Sequence, residues 1–313
     1  MKGLELAKQF YLEYGAPMLH KDFPHLEHLV AVGLVGSGSE CFGFDDAISA
    51  DHDFEPAFCL FLPDEDLIDR REAFALERAY AKLPREFMGY QRNALSPVGG
   101  NRHGVIRIDE FFQEKIGTPD GTLSLRDWFY LPEQSLAEAT NGCVFRDDLG
   151  YFSAIRDRLA YYPNDVRLKK LAGDLLMMGQ AGQYNYPRCI KRGDTAAAQL
   201  SVYEFVKNTM SVLFLLSRRY MPYYKWSFRA LSDLPLFADM GDSLEHLIST
   251  PNTVPYASAK QELIEQISAA VIAEIRRQQL SDYPSDELEG HAYAVNNGIA
   301  DGEIRNLHIL FAI

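Results

Sequence analysis

A chain of 313 residues with 47% hydrophobic and 24% charged residues has the composition of a globular protein with a sizeable core. The formal net charge of −13 argues against a nucleic-acid-binding protein, because such proteins contact phosphates through clustered lysine and arginine side chains. Four widely spaced cysteines without a CxxC pair indicate neither a zinc site nor a disulfide framework.

The first half of the chain alternates helical and strand patterns. Residues 4–15 have helical spacing, and HLVAVGLVG and EPAFCLFLP are apolar runs typical of buried strands. The following segment, DEDLIDRREAFALERAYAKL, starts with acids and predicts a helix. MGYQRNALSPVGGNRHG is loop-like, and GVIRIDEFF predicts a third strand over residues 105–109 that runs into another helix.

After about residue 150 the pattern becomes helical. The periodic segments are LAYYPNDVRLKKLAGDLLMMGQAG, TAAAQLSVYEFVKNTMSVLFLLSRRY, PYYKWSFRALSDL and SAKQELIEQISAAVIAEIRRQQL. We therefore predict an α+β fold, with a small mixed β-sheet and helices in a domain over residues 1–150 and a C-terminal helical bundle over residues 151–313.

The N-terminal sequence MKGLELAKQFYLEYG lacks the apolar core of a signal peptide. No apolar run approaches the roughly 20 residues of a membrane span. We expect a cytoplasmic protein without a membrane partner.

The segment VGLVGSGSECFGFDDAISADHDF combines a Gly36-Ser37 turn after one predicted strand with Asp51-His52-Asp53 before the next. Alternation along a strand points both aspartates to one face, where they repel each other unless a cation lies between them. A turn of small residues lets backbone N–H groups approach phosphate oxygens. The segment therefore predicts a divalent metal and a phosphate cradle, and the alternative is a pair of solvent-exposed loop acids.

Two other nucleotide-binding motifs fit this segment less well. A dinucleotide-binding turn would use Gly36 and Gly38, but its third glycine position is Cys41. A P-loop is excluded nearby because no GK[ST] sequence follows.

The pattern Val35-Gly36-Ser37, thirteen residues, then Asp51-His52-Asp53-Phe54 resembles the signature of the polymerase-β-like nucleotidyltransferase superfamily. The wider stretch is similar to a bacterial nucleotidyltransferase-like family of unknown function. So are LSLRDWFYLPEQSLAEATNGCVF, LAYYPNDVRLKKLAG and SRRYMPYYKWSFRAL, which extends the resemblance over most of the chain.

The resemblance implies two Mg²⁺ ions (or Mn²⁺) that bind an NTP, with ATP as the first candidate, and Asp51 and Asp53 as shared metal ligands. Gly36 and Ser37 would hold the β- and γ-phosphates while pyrophosphate leaves. A third catalytic carboxylate is expected on a later strand, where the candidate is Asp109; the alternative is that Asp109 caps the next helix.

In the helical part, related enzymes supply a lysine to the triphosphate, and Lys225 in YYKW is the candidate. The alternative is a solvated lysine beside packing aromatics. Arg218 and Arg219 could also reach phosphate, or pair with surface acids. Glu40, Asp45 and Asp46 are candidate loop acids near the site.

These residues together predict a metal-dependent nucleotidyltransferase that moves an NMP to a hydroxyl of a small molecule or protein. The acidic charge makes a polynucleotide acceptor a weaker candidate. The alternative is a nucleotide-sensing module with a degraded site, because the third acid does not fit the superfamily pattern cleanly.

Overall fold

The computed structural model describes residues 1–46, 54–92 and 102–312, and these form the predicted α+β fold. The strands in these described ranges are β1 Ala31–Leu34, β2 Cys59–Leu62, β3 Glu86–Phe87, β4 Tyr90–Gln91, β5 Gly104–Arg107 and β6 Cys143–Arg146. The first helices are α1 Gly3–Phe10, α2 Ala16–Asp22, α3 Arg70–Ala81, α4 Ile108–Ile116, α5 Leu125–Tyr130, α6 Glu133–Thr140 and α7 Tyr151–Arg158. The later helices are α8 Asn164–Met178, α9 Tyr186–Lys191, α10 Thr195–Ser217, α11 Tyr224–Ser232, α12 Met240–Ser249, α13 Tyr256–Arg277, α14 Leu288–Asn297 and α15 Gly302–Asn306.

The chain folds into two compact units. Unit 1 comprises residues 1–124 and 131–160, and unit 2 comprises residues 125–130 and 161–313. The short helix α5 therefore belongs to the second unit although it lies within the first in sequence. The division of the chain at residue 150 into two functional domains stays a prediction.

The sheet of unit 1 has the strand order β5-β2-β1-β6. β2 and β5 run parallel, whereas β1 is antiparallel to both β2 and β6, so the sheet is mixed. The register pairs Gly33 with Cys59, Cys59 with Gly104, and Leu34 with Cys143. The C-terminal end of β1 and the N-terminal ends of β2, β5 and β6 therefore lie side by side at the same end of the sheet.

Both faces of the sheet are covered within unit 1. On one face Phe58 packs between Phe10 of α1 and Tyr80 of α3, and the Tyr80 hydroxyl donates to the Phe58 carbonyl at 2.8 Å. On the other face Phe61 stacks on Phe152 of α7 at 4.1 Å between ring centroids and contacts Phe111 of α4 edge-on. Strands buried on both faces explain why β1 and β2 are continuous apolar runs.

Three details of the predicted strands are wrong. The third strand ends at Arg107, and residues 108 and 109 begin helix α4. The segment predicted to be a loop, which begins at Met88, contains strand β4, which pairs with β3 just before it, and β6 forms where no strand was predicted.

Unit 2 consists of helices among the residues described. Helix α10 is 23 residues long, and its N-terminus is capped by Asp194, whose carboxylate accepts the Ala197 amide at 3.0 Å. Helix α8 packs against α10 and α14 and buries Lys169, which donates to the carbonyl of Leu307 at 2.6 Å and to Asn296 at 2.8 Å. In the described part of the chain, no helix has both the length and the apolar composition needed to cross a membrane.

Candidate functional site: the Gly-Ser turn

The turn that follows β1 needs glycine at two positions. Gly36 has a φ of +105° and Gly38 a φ of +124°, both outside the region that other residues readily adopt. A Cβ on Gly38 would also lie 2.0 Å from Nη2 of Arg102 and 2.4 Å from Oε1 of Glu40. Because Gly38 has no Cβ, the charged groups of Arg102 and Glu40 can pack directly against the backbone of the turn.

Asn141 holds the turn from the end of α6. Its side-chain oxygen accepts the Gly36 amide at 2.8 Å, and its side-chain nitrogen donates to the Gly36 carbonyl at 2.7 Å. The next residue, Gly142, lies so close to β1 that a Cβ there would be 2.0 Å from the Leu34 carbonyl oxygen. The junction of α6 and β6 therefore packs closely against the turn and against the end of β1.

The Ser37 hydroxyl lies in a cluster of three polar side chains. It donates to Oε2 of Glu138 at 2.7 Å, while Nζ of Lys115 donates to the Ser37 oxygen at 2.8 Å and to Oε2 of Glu138 at 3.0 Å. The Lys115 side chain is only 13% exposed. Phe111, one helical turn earlier on α4, lies against Gly36. Residues four apart lie on the same face of a helix, so this face of α4 brings both Phe111 and Lys115 to the turn. The turn therefore carries a fixed, mostly buried cation.

A second cation contacts the turn from the segment before β5. One guanidinium nitrogen of Arg102 donates to the Ser37 carbonyl and to Oε1 of Glu40, both at 2.7 Å. The neighbouring side chain, His103, is within 3.0 Å of Oε1 of Glu55. Consecutive residues 102 and 103 thus connect the turn to the chain two residues beyond Asp53.

Asp51 and Asp53 lie outside the described residues, and the described chain ends at Asp46 before them and resumes at Phe54 after them. On the N-terminal side the Asp45 carboxylate accepts the Gly3 amide at 3.0 Å at the start of α1. On the C-terminal side the Phe54 ring lies 3.3 Å from the Cβ position of Gly3, and Glu40 lies beside the same position. Both ends of the segment that contains the two aspartates therefore meet beside Glu40.

Asp109 lies at the other end of the sheet from the turn. It occupies the first turn of α4, is exposed, and accepts the Glu110 amide at 2.9 Å. Lys115 is six residues further along the helix, roughly 9 Å along its axis. The strand position before it belongs to Arg107, which donates to the carbonyls of Pro63 at 2.6 Å and Ile68 at 2.8 Å. The prediction of a strand acid at position 109 is wrong, and the described geometry places this carboxylate away from the Gly-Ser turn.

Lys225 belongs to unit 2, on α11. Its Nζ lies 5.2 Å from the centroid of the Trp226 ring, and the residue is exposed. Its contact with a triphosphate stays a prediction. Glu40 and Asp45, the candidate loop acids, are buried and engaged with Arg102 and with the start of α1.

Two thiols border the turn without being suited to nucleophilic chemistry. Sγ of Cys41 lies 3.7 Å from the Ser37 carbonyl, and Sγ of Cys59 lies 3.3 Å from the Arg102 carbonyl. Burial raises the pKa of Cys41 well above its ordinary value and the pKa of Cys59 to about 12. Both stay protonated at neutral pH and cannot act as thiolates.

Within residues 1–46, 54–92 and 102–312, no three acidic, histidine or cysteine side chains are grouped closely enough to hold a metal ion. The acids nearest the turn, Glu40 and Glu138, are paired with Arg102 and Lys115. The expectation of a bound divalent metal therefore depends on Asp51 and Asp53.

Sequence reasoning identified the turn but missed the side chains around it. Lys115, Asn141 and Arg102 are between 65 and 105 residues away from the turn residues that they contact. Asn141 and Gly142 form an Asn-Gly pair, which is a turn signal, but this pair does not by itself identify a partner.

The family model for "Domain of unknown function (DUF4037)" matches residues 128–227. The matched stretch includes Glu138 and Asn141 as well as Lys225. Among solved structures, a nucleotidyltransferase-like protein from Exiguobacterium sibiricum 255-15 is 11% identical, with 89% of this chain and 81% of that chain covered and a TM-score of 0.33. No curated protein matches the sequence.

Proposed function

We propose that this protein is a metal-dependent nucleotidyltransferase that transfers an NMP from an NTP to a hydroxyl group of a small molecule or protein and releases pyrophosphate. The observation that carries the proposal is the link through residues 102 and 103: Arg102 contacts Ser37, and His103 contacts Glu55, two residues beyond Asp53. The first half of the sequence signature and the chain just beyond its second half are thereby contacted by adjacent residues, which supports the proposal.

The turn holds two cations that could contact a triphosphate, each now paired with a carboxylate. Lys115 and Arg102 bring two cations to Ser37 in a chain whose formal net charge is −13. Cations at fixed positions stabilise phosphate oxygens more than mobile surface lysines do. In the proposal, Gly36 and Ser37 supply close backbone approach and Lys115 neutralises a phosphate oxygen.

Glu138 occupies the position where that phosphate oxygen would lie, since its Oε2 contacts both Ser37 and Lys115. A phosphate that binds these two groups therefore replaces the carboxylate. The exchange leaves the hydrogen bonds of Ser37 and Lys115 satisfied, and Glu138, whose side chain is 26% exposed, turns toward solvent.

Asp51 and Asp53 are the proposed ligands of Mg²⁺ or Mn²⁺, because two nearby carboxylates repel each other without a cation. The bound metal would supply charge neutralisation of the triphosphate during in-line attack on the α-phosphorus. Asp109 stays the predicted third carboxylate, although its place in the first turn of α4, away from the Gly-Ser turn, does not support that role.

The alternative is a nucleotide-binding or nucleotide-sensing module without transfer. Two observations favour it: the exposed position of Asp109 away from the turn, and the hydrogen bonds that already engage the Ser37 hydroxyl. Such a module would bind the NTP and its metal but release no pyrophosphate.

Pyrophosphate release separates the two functions. The protein is incubated with each NTP and Mg²⁺ or Mn²⁺, together with candidate hydroxyl acceptors, and NTP binding is measured in parallel. Transfer predicts release that is lost in Asp51→Asn and Asp53→Asn but kept in Asp66→Asn, an exposed aspartate elsewhere in unit 1. Binding without release supports the sensor, and release that survives in both Asp51→Asn and Asp53→Asn refutes the proposed metal site.

A further inference from the structure

The segment Arg218–Arg229, with the sequence RRYMPYYKWSFR, differs in composition from the rest of the chain. In a protein with a net charge of −13 it contains no acid. Its cations and aromatics are Arg218, Arg219, Lys225, Arg229, Tyr220, Tyr223, Tyr224, Trp226 and Phe228. We call it the aromatic-basic segment.

Helix α11 presents four of these side chains on one face. Ser227, Ala230 and Leu231 are buried, so the helix turns Tyr224, Lys225, Phe228 and Arg229 outward at spacings of one, four and five residues. Tyr224 is 74% exposed and Tyr223 is 43% exposed. Large aromatic side chains grouped at the surface are typical of binding sites rather than of ordinary solvated helices.

The rings and the cations lie close together. The centroids of Tyr223 and Tyr224 are 4.3 Å apart. Nζ of Lys225 is 5.2 Å and Cζ of Arg229 is 5.9 Å from the Trp226 centroid. Cations beside aromatic faces leave positive charge next to flat apolar surfaces.

The aromatic-basic segment itself contributes four cations and no carboxylate. Among the described residues Lys225 makes no ion pair, and Arg218 contacts a neutral oxygen, Oδ1 of Asn164, at 3.4 Å. The first acid after the segment is Asp233, at the C-terminal cap of α11. The local charge is therefore opposite in sign to that of the whole chain.

We propose that the aromatic-basic segment binds a single-stranded polynucleotide. Bases stack on Tyr223, Tyr224 and Phe228, and phosphates lie against Lys225 and Arg219. Stacking on exposed rings tolerates any base, and nearby cations follow the backbone, which is the usual chemistry of single-strand binding. An acidic peptide would use the cations but leave the rings without flat partners.

The proposal also explains why the overall acidity is not an obstacle. A duplex presents two charged backbones and hides its bases, so the acidic surface around the segment would repel it. A splayed single strand needs only the short basic face. The inference is independent of nucleotidyl transfer, and it gives Lys225 a different partner from the NTP predicted for it.

Fluorescence anisotropy with a labelled oligouridylate of about 12 nucleotides tests the proposal in the absence of NTP and metal. Tyr224→Ala should weaken binding roughly tenfold, the lower part of the range for a stacked base. Tyr203→Ala removes a similarly exposed ring from α10 and should leave the affinity unchanged. Replacing Arg219 and Lys225 by glutamine should reduce the slope of log affinity against log salt by about 1.4.

The same measurement with other probes distinguishes a single strand from a duplex and from an acidic peptide. Binding of either the RNA or the matched single-stranded DNA supports the proposal, and a difference between them identifies which one is preferred. Equal affinity for a duplex of the same length or for polyglutamate overturns it, as does an unchanged affinity of Tyr224→Ala. Asp51→Asn should bind the oligonucleotide like the unaltered protein, so failure of nucleotidyl transfer and failure of this inference are distinguishable.

Discussion

Replacing Gly38 by alanine tests whether the Gly-Ser turn and Arg102 form one unit. The new Cβ would lie 2.0 Å from Nη2 of Arg102 and must displace it, and the φ of +124° adds backbone strain. The strain costs about 1–3 kcal/mol. The displaced guanidinium also leaves the buried Glu40 carboxylate without its partner, which adds about 2 kcal/mol for a pair that is partly exposed on the arginine side.

We therefore expect Gly38→Ala to lower the free energy of unfolding by about 3–5 kcal/mol, measured by urea unfolding followed by far-UV circular dichroism. In an Arg102→Ala background the part due to the guanidinium disappears, and the same change should cost less: the strain of about 1–3 kcal/mol plus the displacement of Glu40, whose Oε1 lies 2.4 Å from the new Cβ. Gly36→Ala is the control: its φ is similarly positive, but its Cβ would meet Phe111 at an ordinary 3.5 Å. An equal cost of Gly38→Ala in both backgrounds would refute the proposed contact.

Two further predictions concern a cation and a buried acid. Lys115→Met should weaken NTP binding in calorimetric titration roughly tenfold, the value of one hydrogen bond to a charged group, whereas Lys82→Met, at the exposed C-cap of α3, should not; equal effects would remove Lys115 from the site. Burial raises the pKa of Asp174 to about 6, so the folded state binds this proton more tightly than the unfolded chain and its contribution to stability falls as the pH rises from about 4 to 6. Asp174→Asn keeps an acceptor for the Ser211 hydroxyl and should remove this fall, seen as a smaller loss of stability between pH 4 and 7 than in the unaltered protein; parallel stability–pH curves would contradict the assignment.

The central strands and the helical C-terminal part could be predicted because their patterns are local. β1 and β2 are continuous apolar runs bounded by Gly36 and Pro63, and burial on both faces requires that composition. The predicted strand through Asp109 failed for a tertiary reason. Its partner β2 pairs Leu62 with Arg107 and then reaches Pro63, which has no N–H to continue the ladder.

The candidate site was predictable only in part. The glycines and Ser37 are adjacent in sequence and identify a turn, whereas Lys115, Asn141 and Arg102 reach it through the fold. Their types are common on protein surfaces, and nothing local to them indicates a partner 65 or more residues away.

The most direct test of the central claim is a thermodynamic cycle on Mn²⁺–NTP binding by isothermal titration calorimetry. The unaltered protein is compared with Ser37→Ala, Asp53→Asn and the double variant. If the turn and the aspartate engage one metal–triphosphate, each single change weakens binding, and the double change costs less than the sum of both. Unchanged affinity in Asp53→Asn, or strictly additive losses, would contradict a shared site.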